Sequence, residues 1–202
     1  MNRERSDQGP SAEPERPVWI YLDSTALIDL SVALTAGTDP TNPPGSTGER
    51  VMSIARIFFY AARPHPNDGR RRTLCCSAQG RIELAAKTGD WTESVLIDLG
   101  AMTDASLDRV LAEQTRLQAL GVKDADARHL AIANLTTFID VFVTDDKWLL
   151  RNAKSLALRP TLMVLNAFDA CTALSLQAGD IPATVPGGNS PLLGRQWWRL
   201  DT

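Results

Sequence analysis

Cysteine and histidine are scarce in this chain of 202 residues, which contains three cysteines and two histidines. Cys75 and Cys76 are adjacent, so the cysteines give no disulfide framework and fit a reducing compartment. His65 and His129 are far apart and have no Cys/His spacing typical of zinc. The composition therefore excludes a disulfide scaffold and directs the search for a metal site to acidic residues.

Long apolar runs and excess positive charge are also missing. No apolar stretch approaches the roughly twenty residues that a membrane span requires. The first seventeen residues carry charges and prolines where a secretory signal has an apolar run. We therefore expect a soluble, cytoplasmic protein with a disordered lead-in over residues 1–17. The net charge of -3 indicates that a nucleic acid would be held by a local basic patch or a bound cation.

The remaining sequence alternates between strand and helix patterns. Apolar runs predict strands at 18–22, 73–77, 139–144 and 161–168, and helical patterns occupy 24–34, 49–62, 78–89, 105–120, 124–135, 147–158 and 169–177. This order predicts one α/β domain over 18–182, a three-layer α/β/α sandwich around a mainly parallel sheet. A Gly/Pro-rich segment at 35–48 is expected to be a mobile loop, and 183–202 to be a tail bearing Trp197 and Trp198.

Acidic residues follow two of the predicted strands directly. Asp23 ends the first strand, and Asp145 and Asp146 follow the strand at 139–144. Ligands of parallel α/β sheets bind beyond the carboxyl ends of the strands. Phosphodiester hydrolysis with Mg²⁺ or Mn²⁺ needs several hard oxygen ligands that converge on one place. The sequence thus favours a metal-dependent hydrolase with carboxylate ligands.

Four segments carry a family resemblance: YLDSTALIDL around Asp23, CCSAQGRIELA around Glu83, VKDADARHLAIA around Asp126, and VFVTDDKWLL around Asp145 and Asp146. In this order they resemble the motifs of the PIN-domain family of metal-dependent nucleases. The resemblance implies a PIN-like fold in which Asp23, Glu83, Asp126 and Asp146 are catalytic and bind Mg²⁺ or Mn²⁺. Asp145 is a further metal-ligand candidate.

The same resemblance implies supporting roles for four polar residues. Thr25 stands where the family more often has Asn or Ser, and its hydroxyl would orient the first carboxylate or a water. Ser77 precedes Glu83, and Thr144 opens the T-x-D motif. His129 belongs to the DA-x-H-L-A motif, where a satisfied core or supporting histidine is favoured over a metal ligand.

Structural alternatives remain open for each acid. Asp23 could cap the helix that begins at Ser24, and Glu83 could pair with Lys87 four residues later. In each of two pairs of neighbouring acids, one residue is expected to cap a helix while the other faces the site. We assign the cap to Asp124 and the site to Asp126, and we prefer Asp146 over Asp145 without a decision from spacing.

Four basic residues are candidates for RNA contacts. Arg70, Arg71 and Arg72 lie in one turn-rich segment, and Lys147 begins a predicted helix. Phosphate contacts come from such clusters. A flexible basic turn and a solvated lysine are the structural alternatives.

The resemblance implies a Mg²⁺- or Mn²⁺-dependent endoribonuclease. It extends to the toxins of bacterial toxin–antitoxin pairs, which implies an RNA substrate, a small antitoxin protein and a homodimer. The alternative is a catalytically silent PIN-like module that binds RNA or protein. A haloacid-dehalogenase-type phosphatase is set aside, because Thr25 stands where that family requires a second aspartate.

Overall fold

The computed structural model describes residues 16–36, 49–51, 53–54, 56–57, 70, 72–78, 80, 82 and 105–176, with only the backbone for 31–36. The predictions for the lead-in before residue 16 and for the tail over 183–202 lie outside these residues, as do positions 37–48 of the loop predicted over 35–48. Glu83 and Arg71 also lie outside them. The first two residues of that predicted loop, 35 and 36, are helical.

Four short strands alternate with helices along the described chain. The strands are β1 (Val18–Leu22), β2 (Arg72–Cys75), β3 (Ile139–Val143) and β4 (Met163–Leu165). Helix α1 (Ser24–Ala36) follows β1, and helical residues at 49–51, 53–54 and 56–57 (α2) and at 78, 80 and 82 (α3) flank β2. After these come α4 (Leu107–Ala119), α5 (Asp124–Leu135), α6 (Lys147–Asn152), a 3-10 turn (Ala153–Leu156) and α7 (Ala167–Ala173).

All four strands are parallel and lie in the order β2-β1-β3-β4. The chain leaves β1 toward β2 on one side, and leaves β3 toward β4 on the other. The connections therefore diverge between β1 and β3, and such a divergence opens a crevice at the carboxyl ends of the two central strands. The topology places Asp23 and the acids after β3 beside this crevice.

The sheet is covered on both faces, which explains why its strands are almost continuously apolar. Ile20, Leu22 and Val141 pack with α1, α2 and α7. Tyr21 and Phe142 pack with α4, α5 and α6 on the opposite face. The expected three-layer α/β/α architecture is therefore confirmed.

The register between β1 and β3 shifts by one residue near the start of the two strands. Trp19 pairs with Ile139, but Ile20 pairs with Val141, so Asp140 is an extra residue in β3. The Asp140 carboxylate accepts a hydrogen bond from the Trp19 backbone N–H at 2.9 Å and also pairs with Arg16. Arg16, two residues before β1, therefore contacts the domain, and its guanidinium also donates to the carbonyl of Phe138.

The helical hairpin of α4 and α5 turns at Gly121, as the sequence predicts. Gly121 adopts a φ of +97°, which glycine tolerates better than other residues. Its backbone N–H bonds to the carbonyl of Gln118, and the N–H of Val122 bonds to the carbonyl of Leu117. These bonds close the end of α4 and set the direction in which α5 begins.

Candidate active site

The candidate site lies at the carboxyl ends of β1 and β3. The backbone N–H of Asp23 donates to the carbonyl of Val143 at 3.1 Å, so the two strands are still joined where they end. Asp23 then enters α1, while Thr144, Asp145 and Asp146 lead into α6. The backbone thus brings the first and fourth predicted motifs together.

Asp23 is the most deeply buried acid of this group, with 3% of its surface exposed. Its Oδ1 accepts a hydrogen bond from the Ala26 backbone N–H at 2.8 Å, which caps α1. Burial raises the pKa of Asp23 to about 7, against the effect of hydrogen bonds from Ala26 and Thr144; the charges of Asp126 and Asp145 raise it further. Asp23 is therefore both a helix cap and the centre of a cluster of negative charge.

Thr144 connects Asp23 to the start of α6. Its buried hydroxyl donates to the Asp23 carboxylate and accepts a hydrogen bond from the Asp146 backbone N–H at 3.1 Å. The partners that the structure gives to the Asp23 carboxylate are thus Ala26 and Thr144. The orienting role expected of Thr25 stays a prediction.

Asp146 caps α6, because its Oδ1 accepts from the Leu149 backbone N–H at 2.8 Å. Its other oxygen, Oδ2, lies 3.7 Å from Nζ of the exposed Lys123. Asp145 instead interacts with Asp23 and lies beside Arg50. The structure therefore gives the cap to the residue that we preferred as the ligand, and it places Asp145 beside Arg50 with its charge acting on Asp23. A metal-binding role for Asp146 stays a prediction.

Asp145 is linked to two residues that the sequence analysis did not select. Its Oδ2 lies 3.3 Å from Nε of Arg50, which also contacts Asp29 on α1. Partial burial raises the pKa of Asp145 to about 6; Asp29 raises it further, and Arg50 opposes the rise. Burial likewise raises the pKa of Asp29.

Asp29 and Arg50 carry little signal in the sequence. Arg50 is one of two arginines in the helical pattern over 49–62, and it lies 27 positions from Asp23 along the sequence. Asp29 is the one charged residue in the mainly apolar run TALIDLSVAL. A carboxylate at such a position needs a partner when the helix is buried, and this feature could have identified it.

On α5 the structure separates the two acids at its start. Asp126 is partly buried and its charge acts on Asp23, as expected of a residue that faces the site. Asp124 does not cap the helix, because the N-cap position is Lys123. The Asp124 carboxylate instead accepts from the side-chain amides of Gln114 and Gln118 at 2.7 and 2.6 Å, and therefore ties α5 to α4.

His129 lies in a buried polar network below the acids. Its Nδ1 is 2.8 Å from the Tyr21 hydroxyl and 3.3 Å from Ser77 Oγ, and its Nε2 is 3.0 Å from Ser24 Oγ. The Tyr21 hydroxyl accepts from the Ser77 backbone N–H, so we assign its own proton to Nδ1 and the imidazole proton to Nε2. Both ring nitrogens are occupied, which agrees with a structural histidine.

Ser77 joins this network to α3. Its Oγ accepts from the Gly80 backbone N–H at 3.0 Å, in the manner of an N-cap at the start of the helix that leads to Glu83. A Cβ at Gly80 would lie 3.1 Å from Cε1 of His129, so the helix approaches the imidazole closely. Ser77 therefore supports the position of this helix, while Glu83 itself lies outside the described residues.

A cleft of about 560 Å³ adjoins Asp145. Its lining is partly charged and partly apolar, and consists of Glu49, Arg50, Asp145, Lys147, Leu150, Asn166 and Phe168. The exposed Lys147 therefore lines the same cleft as Asp145. This placement keeps Lys147 as a candidate for a substrate contact.

The structure describes two of the three arginines that were predicted to bind RNA, Arg70 and Arg72. Arg72 is 2% exposed, and its guanidinium donates to the carbonyls of Arg70 and Leu174. Its assignment as an RNA-binding residue is wrong, because the guanidinium is buried between the start of β2 and the end of α7. Arg70 is partly buried and donates to the carbonyl of Arg16, so its side chain is also engaged.

The donor atoms of the site fit a hard divalent cation in kind, because Asp23, Asp126 and Asp145 offer carboxylate oxygens. Their mutual repulsion is the electrostatic condition that a cation relieves. Across the residues described, however, no group of three or more His, Cys, Asp or Glu side chains lies close enough to hold a metal ion. These side chains thus suit a divalent cation in chemical type, but in the described part of the chain they do not form a metal-binding group.

Comparison of the chain with models of protein families, with curated proteins and with solved structures gives no match. None of the helices in the described part of the chain is long and apolar enough to span a membrane.

Proposed function

We propose that this protein is a Mg²⁺- or Mn²⁺-dependent endoribonuclease of the PIN type. The observation that supports this proposal is the position of Asp23, a buried carboxylate at the divergence of β1 and β3 whose pKa is raised further by Asp126 and Asp145. Concentrating negative charge in this way destabilises the protein without a counter-ion. Such an arrangement is typical of sites that use the charge for function.

Each residue has a defined task in the proposed reaction. The candidate ligands in this proposal are Asp23, Asp126 and Asp145, which do not form a metal-binding group by themselves among the described residues, together with Glu83 and Asp146, the further acids implied by the motifs. Thr144 fixes the carboxylate of Asp23 by its hydrogen bond. When bound, the cation supplies Lewis acidity at the scissile phosphate, and Lys147 at the cleft would contact a neighbouring phosphate. The partners in this proposal are RNA and, for a toxin, a small antitoxin protein.

Asp126 and Asp124 provide a matched pair of variants to test the proposal. Both lie on α5, but only Asp126 acts on Asp23, while Asp124 binds two glutamines. Asp126→Asn should abolish Mn²⁺-dependent cleavage of single-stranded RNA and reduce the rise in melting temperature that Mn²⁺ causes. Asp124→Asn should leave both unchanged. Cleavage by Asp126→Asn at the parental rate, or a parent that neither binds Mn²⁺ nor cleaves RNA, would overturn the proposal.

A second candidate function is a catalytically silent PIN-like module that binds RNA or protein. It is favoured by the ion pairs of Arg50 with Asp29 and Asp145, which already supply positive charge to two of the acids. The same Mn²⁺ titration discriminates the two functions. A silent module would bind RNA without cleavage, and Mn²⁺ would not change its melting temperature.

A further inference from the structure

Apolar and charged side chains line the same cleft of about 560 Å³ beside Asp145. Leu150 of α6 and Phe168 of α7 supply its apolar part, and Phe168 is 52% exposed. Pockets for small ligands usually have volumes of about 300–1,000 Å³. The cleft can therefore admit a ligand of the size of a nucleotide, and it offers an exposed aromatic ring to that ligand.

The start of α7 fixes Phe168 at the surface. Asn166 follows β4 directly and caps the helix, because its Oδ1 accepts from the Asp169 backbone N–H at 2.7 Å and its Nδ2 donates to the Asp169 carboxylate at 2.7 Å. Ala167 and Ala170 lie on the buried face of this helix. Phe168 is one helical position away from that face, so it points out of the core beside the carboxyl end of β4.

Lys147 brings a positive charge to the same cleft. It is the first residue of α6 and is exposed. No described residue forms an ion pair or a hydrogen bond with its ammonium group. Arg50, the other cation of the described lining, is paired with Asp29 and lies beside Asp145. Of these two cations, Lys147 is therefore the one that is available to a phosphate group.

Two carboxylates restrict how a nucleotide can lie in the cleft. Glu49 and Asp145 line it together with Arg50 and Lys147, so the described lining has two charges of each sign. A phosphate beside the acids would be repelled, whereas an uncharged nucleobase would not. Carboxylates also accept hydrogen bonds from the amino groups of bases. The lining therefore fits a base beside Phe168 and the acids, with the phosphate at Lys147.

We propose that this cleft binds one nucleotide of single-stranded RNA, with its base stacked on Phe168 and its phosphate at Lys147. Stacking on aromatic rings combined with positive charge along the backbone is a general mode of binding single-stranded nucleic acids. The inference rests on the proposed function for the identity of the ligand as RNA, and it requires no metal ion. Asp145 belongs to both the cleft and the candidate site, so the bound nucleotide lies beside the place of cleavage.

The test measures RNA binding to the full chain by fluorescence anisotropy in the presence of a chelator, so that neither cleavage nor metal binding contributes. The probe is a labelled octaadenylate at about 50 mM salt. Phe168→Ala should raise the Kd about tenfold, a loss typical of one stacked base. Lys147→Gln should raise the Kd severalfold and lower the slope of log Kd against log salt concentration by about one, because it removes a phosphate contact.

Two further variants of Phe168 separate stacking from apolar contact. Leucine keeps an apolar side chain but has no aromatic face, so Phe168→Leu should bind octaadenylate as weakly as Phe168→Ala does. Phe168→Trp should bind it at least as tightly as the parent. Leu107→Ala and Lys154→Gln are matched controls at exposed positions outside the described lining, and both should leave the Kd unchanged.

Four results would overturn the inference: a parent that does not bind octaadenylate, a parental Kd for Phe168→Ala, a parental Kd for Phe168→Leu, or an unchanged Kd and salt slope for Lys147→Gln. An apolar cleft that serves a protein partner would give unchanged RNA binding in all these variants. Circular dichroism checks folding, and Lys147→Gln tests the cleft independently if the Phe168 variants do not fold.

The same proteins distinguish this inference from the proposed function. A parent that cleaves RNA with Mn²⁺, while its Phe168 variants bind octaadenylate as the parent does, refutes the nucleotide cleft alone. Weakened binding by the Phe168 variants, together with a parent that does not cleave RNA with Mn²⁺, supports the cleft and refutes the proposed catalysis.

Discussion

Asp23→Asn should stabilise the metal-free protein at pH 8, although it removes a central residue of the candidate site. Asp23 is buried, and ionising it is opposed by desolvation and by the charges of Asp126 and Asp145. Asparagine removes this charge but keeps a side-chain oxygen for the Ala26 N–H, and asparagine is about as good an N-cap as aspartate. The substitution therefore isolates the electrostatic cost of the carboxylate from its structural contribution.

The size of the effect follows from the pKa of Asp23, which is raised from 3.8 to about 7. Because the folded-state pKa is raised, the carboxyl group stabilises the folded state fully below about pH 4, and this contribution is lost as the pH rises through about 7. Each pH unit of pKa difference corresponds to about 1.4 kcal/mol, which sets an upper limit of about 4 kcal/mol. Relaxation around the charge reduces this value, so we expect a gain of about 2–4 kcal/mol at pH 8.

Urea unfolding in the presence of a chelator measures this difference directly. The free energy of unfolding of Asp23→Asn should exceed that of the parent at pH 8, and the two should converge near pH 4. Asp124→Asn serves as the control, because its carboxylate binds two glutamine amides at the surface. Equal stability at pH 8, or a difference that does not change with pH, would refute the conclusion that ionised Asp23 destabilises the folded protein.

Three further substitutions test the contacts that hold the site in place. Asp146→Ala should lower the free energy of unfolding by about 1 kcal/mol through loss of the α6 cap, and Asp146→Asn should restore it; equal losses in urea titrations would contradict the capping role. Gly121→Ala should cost about 1–2 kcal/mol in the same assay, because its φ is +97° and the new Cβ would lie 3.2 Å from the Trp148 ring; an unchanged midpoint would argue against this turn. His129→Ala should lower stability by about 3 kcal/mol or more, because it leaves a cavity and removes a partner of the buried Tyr21 hydroxyl. Thermal melts would check this loss, and a melting temperature equal to that of the parent would exclude the network as a structural element.

The central elements were predictable because their sequences are strongly patterned. β1 and α5 have the expected bounds, and β3 ends one residue before its predicted end. Their apolar residues are buried on both faces of the sheet, and the apolar pattern of the sequence reflects this burial. The extra residue at Asp140 was not predictable, because it depends on pairing between strands that are more than 100 positions apart.

The candidate site was only partly predictable. The sequence places Asp23 and Asp145 at strand ends, and the parallel sheet then brings them together. Which of Asp145 and Asp146 caps α6 depends on the residue at which this helix begins. A helix that began one residue earlier would have Asp145 at the capping position. The contact of Arg50 with Asp29 joins two helices and has no local signature. Arg72 is misleading for a related reason, since an arginine in a basic segment gives no sign that its guanidinium is buried.

Capping and site formation are not alternatives for the acids that follow β1 and β3. A carboxylate has two oxygens, and one oxygen of Asp23 and one of Asp146 are held by the backbone N–H groups of Ala26 and Leu149. Each cap restricts the rotation of its side chain and thereby fixes the direction of the second oxygen. Thr144 couples the two caps, because its hydroxyl binds the Asp23 carboxylate and the Asp146 N–H. The helix starts after β1 and β3 are therefore oriented as a pair, and the contacts that stabilise the two helices also preorganise the acids at the crevice between the strands.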